Sequence, residues 1–152
     1  VAGLVAITPA CSSVDPLGAI AVGAISSVLS SLAVGLKYKL GYDDSLDVVG
    51  VHLVGGLSGS LLVGLFATAA APAGVDGLLY GGGSGQLVKQ AIACGAVLAY
   101  SFIVTLIIAK LIDVTMGFRI SQEAEITGID LAVHAETAYE IGNVGSSRGG
   151  SF

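Results

Sequence analysis

One histidine, His52, lies in the strongly apolar stretch DVVGVHLVGGLSGSLLVGLF at residues 47–66. Imidazole changes charge near physiological pH, and its two nitrogens can donate and accept a hydrogen bond at the same time. An ionisable group within a membrane span is costly and usually faces the protein interior or a water-filled path. The residue therefore predicts a pathway for protons, ammonia, water or a small polar solute. A histidine that only braces neighbouring helices is the alternative.

Small residues surround this histidine on its own helix. At 3.6 residues per turn, the positions that share its face are Val48, Gly55, Gly56, Gly59 and Ser60. Glycine lets helices in lipid approach closely, and Gly55 and Gly59 have the GxxxG spacing. We therefore predict closely packed helices and a smooth wall beside the imidazole.

Acidic residues do not form a catalytic set. Three aspartates precede the His52 helix, where its dipole favours carboxylates, at positions Asp43, Asp44 and Asp47. Asp113 follows Lys110 by three residues, so mutual neutralisation is predicted. The spans hold no Ser, His and Asp set with a second histidine to act as base, since the only other histidine, His134, lies in the tail. The sequence therefore predicts a protein that is not an enzyme and assigns no catalytic residue.

The composition is that of a membrane protein. Hydrophobic residues make up 54% of the 152 positions and charged residues 11%, whereas roughly a quarter of a soluble domain is charged. A net charge of −5 offers no basic surface for nucleic acid. Cys11 and Cys94 have no ligand neighbour at metal spacing. We therefore predict no metal, no cofactor and no nucleic-acid partner.

Three apolar stretches are long enough to cross a bilayer as helices, at about 17–36, 46–67 and 87–112, the last reaching 118 at most. Residues 1–6 are interpreted as the end of another span. The predicted fold is therefore all-α, a polytopic transmembrane helix bundle over residues 1–118, followed by a tail over 119–152. Because the chain begins at Val1 inside an apolar stretch, we interpret it as a piece of a longer polypeptide.

Basic residues predict the orientation. Lys37 and Lys39 follow the first complete span, Lys110 and Arg119 end the third, and the connection 68–86 contains neither Lys nor Arg. Basic residues are retained on the cytoplasmic side. We therefore predict a multi-pass protein of the cell membrane with a cytoplasmic C-terminus.

Four segments carry a family resemblance: VAGLVAITPAC (1–11), DDSLDVVGVHLVGG (43–56), LIDVTMGFRIS (111–121) and EITGIDLAVHAETAY (125–139). In this order and spacing they resemble the C-terminal third of the ammonium transporters of the Amt/Rh family. The strongest motif combines Asp47, Gly50 and His52. The resemblance implies helices nine to eleven of an eleven-helix subunit with its own narrow hydrophobic pore for ammonium or ammonia, assembled as a homotrimer.

The resemblance also implies roles for individual residues. His52 matches the second of two neighbouring pore histidines, Asp47 matches the aspartate of the cytoplasmic vestibule, and Val48 lines the pore beside it. A regulatory role in the cytoplasmic tail is implied for Gly128, Asp130 and Tyr139. Membrane lipid is an implied partner, and whether a PII-type signalling protein binds the cytoplasmic face is left open.

Two other functions remain open at this point. A membrane-embedded ammonium sensor would need an output domain, and nothing after Tyr139 is long or apolar enough to fold as one. A structural membrane subunit would use His52 for packing. In the family, the first pore histidine and the external aromatic site belong to earlier helices, which this sequence does not include.

Overall fold

A computed structural model describes residues 1–136 of the chain. This part is all-helical and contains no strand, which confirms the predicted fold class. A π-helical segment continues directly into the third α-helix, and a short 3₁₀ turn precedes the fourth. The elements are α1 (Ala2–Ile7), α2 (Pro16–Leu40), the π-helical segment (Val48–Val54), α3 (Gly55–Phe66), the 3₁₀ turn (Leu78–Tyr80), α4 (Gly85–Thr115), α5 (Gln122–Thr127) and α6 (Ile129–His134).

Three helical stretches in the described part are long and apolar enough to cross a membrane: Pro16–Leu40, Val48–Phe66 and Gly85–Thr115. They correspond in order to the three predicted spans. The third has 31 residues, which extend to about 46 Å at 1.5 Å per residue. That length exceeds a hydrocarbon core of roughly 30 Å, so α4 continues past any single crossing or tilts within it.

The ends of α2 follow from its sequence. Asp15 caps its start, because the carboxylate Oδ1 accepts a hydrogen bond from the Gly18 amide at 2.7 Å. Pro16 occupies the first helical position, where its missing N–H leaves no hydrogen bond unmade. At the other end Gly41 adopts the left-handed conformation, with φ 68°, and stops the helix.

The chain divides into two compact units, residues 1–102 and residues 103–152. The core of the first unit is built almost entirely from small side chains, namely Ala6, Ala10, Val22, Leu62, Val63 and Ala67. Ser26 and Ser30 of α2 are also fully buried. Small side chains allow α1, α2 and α3 to pack closely, as expected for helices that associate in lipid.

The second unit is described up to Glu136 and contains the end of α4 with α5 and α6. Lys110 and Asp113 both border a cavity of about 430 Å³ there, but in the described part of the chain they form no ion pair with each other. The predicted neutralisation is therefore wrong. The two side chains are exposed, and a lysine that precedes its acid has the less favourable order on a helix.

Candidate functional site

His52 borders an open groove of about 680 Å³ in the first unit, which we call the His52 groove. The imidazole is exposed to it and makes no hydrogen bond to any other residue between 1 and 136. The groove is lined mainly by apolar and small side chains from the end of α1 and the turn after it, from the His52 helix and from α4: Val5, Thr8, Pro9, Leu53, Gly56, Leu57, Ser60, Gln90, Ala93, Cys94, Val97, Leu98 and Ser101.

The small residues predicted to share the face of His52 divide between two faces. Gly56 and Ser60 line the His52 groove. Gly55 and Gly59 are buried against other helices, so that an added Cβ would meet Ser30 and Val5 at Gly55 and the backbone of Ala6 at Gly59. The helical wheel therefore predicted the smooth wall and the close packing correctly, but it wrongly placed all of these residues on one face.

The π-helical segment accounts for part of this difference. Its hydrogen bonds skip one residue more than those of an α-helix, so each turn holds more residues than the wheel assumes. His52 is the fifth of its seven residues, from Val48 to Val54. Val48 begins the segment, and neither Val48 nor Asp47 is among the residues that line the His52 groove. The structure thus brings His52 to the groove and leaves these two predicted site residues at the start of the segment.

The three aspartates before the π-helical segment are not equivalent. The Asp44 carboxylate accepts hydrogen bonds from the amides of Val48 at 2.8 Å and Val49 at 2.9 Å, so it satisfies two free donors at the helix start. Asp47 forms an ion pair with Lys37 of α2 instead. The helix-start interpretation therefore applies to Asp44, whereas Asp47 has a specific partner that the sequence did not predict.

The contribution of α4 to the groove was also missed. Its lining residues recur at helical spacing, from Gln90 through Cys94 and Val97 to Ser101. A signal was present in the sequence, because Gln90, Cys94 and Ser101 are polar residues that recur at helical spacing within a mainly apolar helix. Cys94 is a free, half-buried thiol.

A second polar arrangement links the loops at the opposite end of α2 and α3 from Asp44. The Tyr80 hydroxyl donates a hydrogen bond to Oδ2 of Asp15 at 3.1 Å, while the other oxygen of Asp15 caps α2. This hydrogen bond to the carboxylate raises the pKa of Tyr80, with smaller contributions from desolvation and from the charge of Asp15. Nearby, the Ala69 amide donates to Asp76 at 2.6 Å.

Two of the predicted tail residues lie in the second unit, and the third lies outside the residues that the structure describes. Gly128 separates α5 from α6 with φ 102°, a conformation that favours glycine. Asp130 lies in the first turn of α6, and Tyr139 lies outside the described residues. Between residues 1 and 136 there is no group of three His, Cys, Asp or Glu side chains that could hold a metal ion.

Comparison with known proteins gives consistent matches. Residues 1–139 match the family profile described as Ammonium Transporter Family. An ammonium transporter of Mycobacterium tuberculosis is 62% identical over 146 residues, which cover 92% of this chain and 31% of that protein. For the ammonium transporter Amt1 of Archaeoglobus fulgidus the identity is 44% over 139 residues, or 91% of this chain and 35% of that protein.

A solved structure is similar as well. The crystal structure of Saccharomyces cerevisiae Mep2 matches with a TM-score of 0.67 and 34% sequence identity, covering 80% of this chain and 29% of that chain. At this identity and TM-score the helices of the two chains share one arrangement. The present chain spans about a third of the length of the curated relatives it matches.

Proposed function

Because the chain belongs to the Ammonium Transporter Family, we propose that it takes part in moving ammonium or ammonia across the cell membrane, as three spans of a larger transporter. The observation that carries this proposal is the position of His52. Its imidazole is exposed to a mainly apolar groove within a helical stretch long enough to cross a membrane. An ionisable side chain is costly there unless it serves a pathway.

The chemistry of the groove favours the neutral solute. Apolar walls cannot replace the water around a charged ammonium ion, so moving the ion into the groove costs much free energy. Moving neutral ammonia there costs much less. A neutral imidazole can donate one hydrogen bond and accept another, so His52 can replace two of the hydrogen bonds that ammonia makes in water. We propose that a second histidine from another span completes a pair with His52, and that the proton travels separately from ammonia.

Two residues before His52 are proposed to act at the cytoplasmic mouth of this pathway. Asp47 precedes the π-helical segment and carries a carboxylate, which attracts cations. Val48 follows it and presents a half-exposed apolar side chain. Cytoplasmic placement of this end and of the C-terminus belongs to the same proposal.

The assembly and its regulation are further parts of the proposal. We propose a homotrimer in membrane lipid, whose cytoplasmic tail regulates transport through Gly128, Asp130 and Tyr139. A PII-type signalling protein is proposed to bind the same cytoplasmic face. The family membership supports these parts, and the molecular mass in detergent and binding of purified PII-type protein test them.

The deciding experiment compares wild type with His52→Ala. The protein is expressed from its complete gene and reconstituted in liposomes, and uptake of radiolabelled methylammonium is measured beside currents with ammonium and potassium. We expect uptake to fall at least about tenfold, or potassium to be admitted, because one lost hydrogen bond to the solute changes a rate by that order. Leu32→Ala, an exposed residue of α2 that does not line the groove, is the matched control.

The outcomes separate the competing functions. An assembled His52→Ala protein with unchanged uptake and unchanged exclusion of potassium would leave His52 as a packing residue. A wild-type protein that assembles without transporting would contradict the proposal and favour the ammonium sensor or the structural subunit. Gel filtration of every variant distinguishes lost transport from lost assembly.

A further inference from the structure

We propose that Lys37 is a positioning residue for His52. It holds the turn before the π-helical segment and thereby keeps the imidazole directed at the His52 groove. This inference rests on the proposed function for the importance of the groove, but the contacts that support it are independent of what the groove conducts.

The Lys37 side chain joins α2 to both ends of one short turn. Its ammonium group donates a hydrogen bond to the backbone oxygen of Asp44 at 3.1 Å and another to the carboxylate of Asp47. It also lies 5.3 Å from the ring centroid of Tyr38, within reach of a cation–π interaction. Only 15% of the lysine side chain is exposed, against 34% for Asp47. Lys37 is therefore a fixed contact, unlike a lysine that extends into solvent.

The turn held by Lys37 sets the start of the π-helical segment. Asp44, whose carbonyl Lys37 holds, caps the amides of Val48 and Val49 through its carboxylate. Asp47 adopts the left-handed conformation with φ 57°, which costs energy for a residue with a Cβ. Its ion pair with Lys37 offsets part of that cost.

A second contact fixes the same segment three residues later. Gly50 is buried, and a Cβ at its position would lie 2.6 Å from Cγ2 and 2.9 Å from the amide nitrogen of Val34. Val34 precedes Lys37 by three residues, so both lie on one face of α2. That face therefore holds the π-helical segment at Asp47 and at Gly50, and His52 follows two residues later.

The geometry explains why a loss of this contact would move His52. A π-helical turn is rare because an α-helical turn has better geometry, and it persists only where its surroundings hold it. If the segment relaxed by one residue toward the α-helix, side chains in it would rotate by about 100°. α3 cannot absorb that rotation, since Gly55 and Gly59 are packed against neighbouring helices. The change would therefore fall on the segment that carries His52.

The test uses the protein expressed from its complete gene, with Lys37→Met, Lys37→Arg and the matched control Lys39→Met. Lys39 lies two residues further along α2 and is exposed. Amide hydrogen exchange of residues 48–54 reports the segment, and methylammonium uptake reports the groove. For Lys37→Met we expect exchange to accelerate about tenfold or more and the maximal uptake rate to fall comparably, with KM changed less than about twofold. Lys37→Arg, which keeps the charge, and Lys39→Met should both resemble wild type.

The outcomes decide the proposal in each case. Unchanged exchange of residues 48–54 in Lys37→Met would overturn it, and so would faster exchange with unaltered uptake, since the contact would then be structural only. If Lys37→Met is not recovered folded, Lys37→Gln replaces it under the same criteria, because glutamine keeps a donor for Asp44 without the charge. If the wild type does not transport, the proposed function fails. The positioning role of Lys37 is then tested by the rate at which diethyl pyrocarbonate modifies His52. A changed rate in Lys37→Met but not in Lys39→Met supports the positioning role, and equal rates overturn it.

Discussion

Gly59 lies directly against the backbone of Ala6, so that an added Cβ would overlap the Ala6 carbonyl oxygen and come within 2.7 Å of its Cα. Gly56 lies three residues earlier on α3 and lines the His52 groove, and a Cβ added there would meet no atom within 4 Å. One glycine therefore permits helix packing, and the other keeps the groove wide. Substitutions at the two positions should fail in different ways.

Gly59→Ala should destabilise the packing of α1 against α3. Because the methyl group would meet backbone atoms, which cannot rotate away, we expect a loss of about 1–3 kcal/mol or more, as for overpacked cores. The midpoint of thermal denaturation followed by gel filtration measures it. Gly23→Ala is the control, since nothing lies within 4 Å of a Cβ there. Equal stability of the two variants would show that the α1–α3 contact is not close in the protein.

Gly56→Phe should fold normally and block transport. A Cβ at this position meets nothing within 4 Å, so the ring can extend into the His52 groove without displacing a helix. We expect methylammonium uptake near the level of empty liposomes, with wild-type elution on gel filtration. Gly23→Phe makes the same change at a residue that does not line the groove and should still transport. Full uptake by Gly56→Phe would place the pathway elsewhere.

Asp44→Ala should loosen the start of the π-helical segment. It removes the carboxylate that accepts from the Val48 and Val49 amides, and the loss of a helix cap costs about 0.5–2 kcal/mol. Faster amide exchange confined to the first turn of the segment is the expected sign. Asp44→Asn should keep part of the cap, and the exposed neighbour Ser45→Ala should change nothing. If Ser45→Ala and Asp44→Ala behaved alike, the cap would contribute no stability.

Tyr80 should ionise above its ordinary pKa of 10.0, because its hydroxyl donates to the Asp15 carboxylate. A raised folded-state pKa stabilises the protein fully below pH 10.0, and this contribution disappears as the pH rises through the folded-state value. The difference in tyrosinate absorbance between wild type and Tyr80→Phe should therefore have its midpoint above 10. In Asp15→Asn, which still caps α2, that midpoint should return towards 10; an unmoved midpoint would contradict the role of the carboxylate.

The proposed orientation predicts opposite labelling of two exposed positions. In a background with Cys11 and Cys94 replaced by serine, Lys39→Cys should resist a membrane-impermeant maleimide in intact cells, whereas Ser84→Cys should react. Both positions are exposed in the structure, so burial cannot explain a difference. After the cells are opened, both should react. The reverse pattern would place the C-terminus outside the cell.

Features that depend on composition along the chain could be predicted without the structure. Three spans follow from apolar length, since a helix of about 20 such residues partitions into lipid whatever its neighbours are. The importance of His52 follows in the same way, because an ionisable group in such a stretch needs an explanation. Four motifs in their order along the chain, the strongest of them around Asp47 and His52, indicated the family that the comparisons show.

Which residue faces which neighbour depends on contacts that arise only in the folded protein. Gly55 and Gly59 could not be separated from Gly56 by a wheel of constant 3.6 residues per turn, because contacts with α1 and α2 select the packed face. The pairing of Lys37 with Asp47 spans ten positions and depends on how α2 meets the next helix. The π-helical turn is equally non-local, since it persists only where tertiary contacts hold a backbone that local preference would wind as an α-helix.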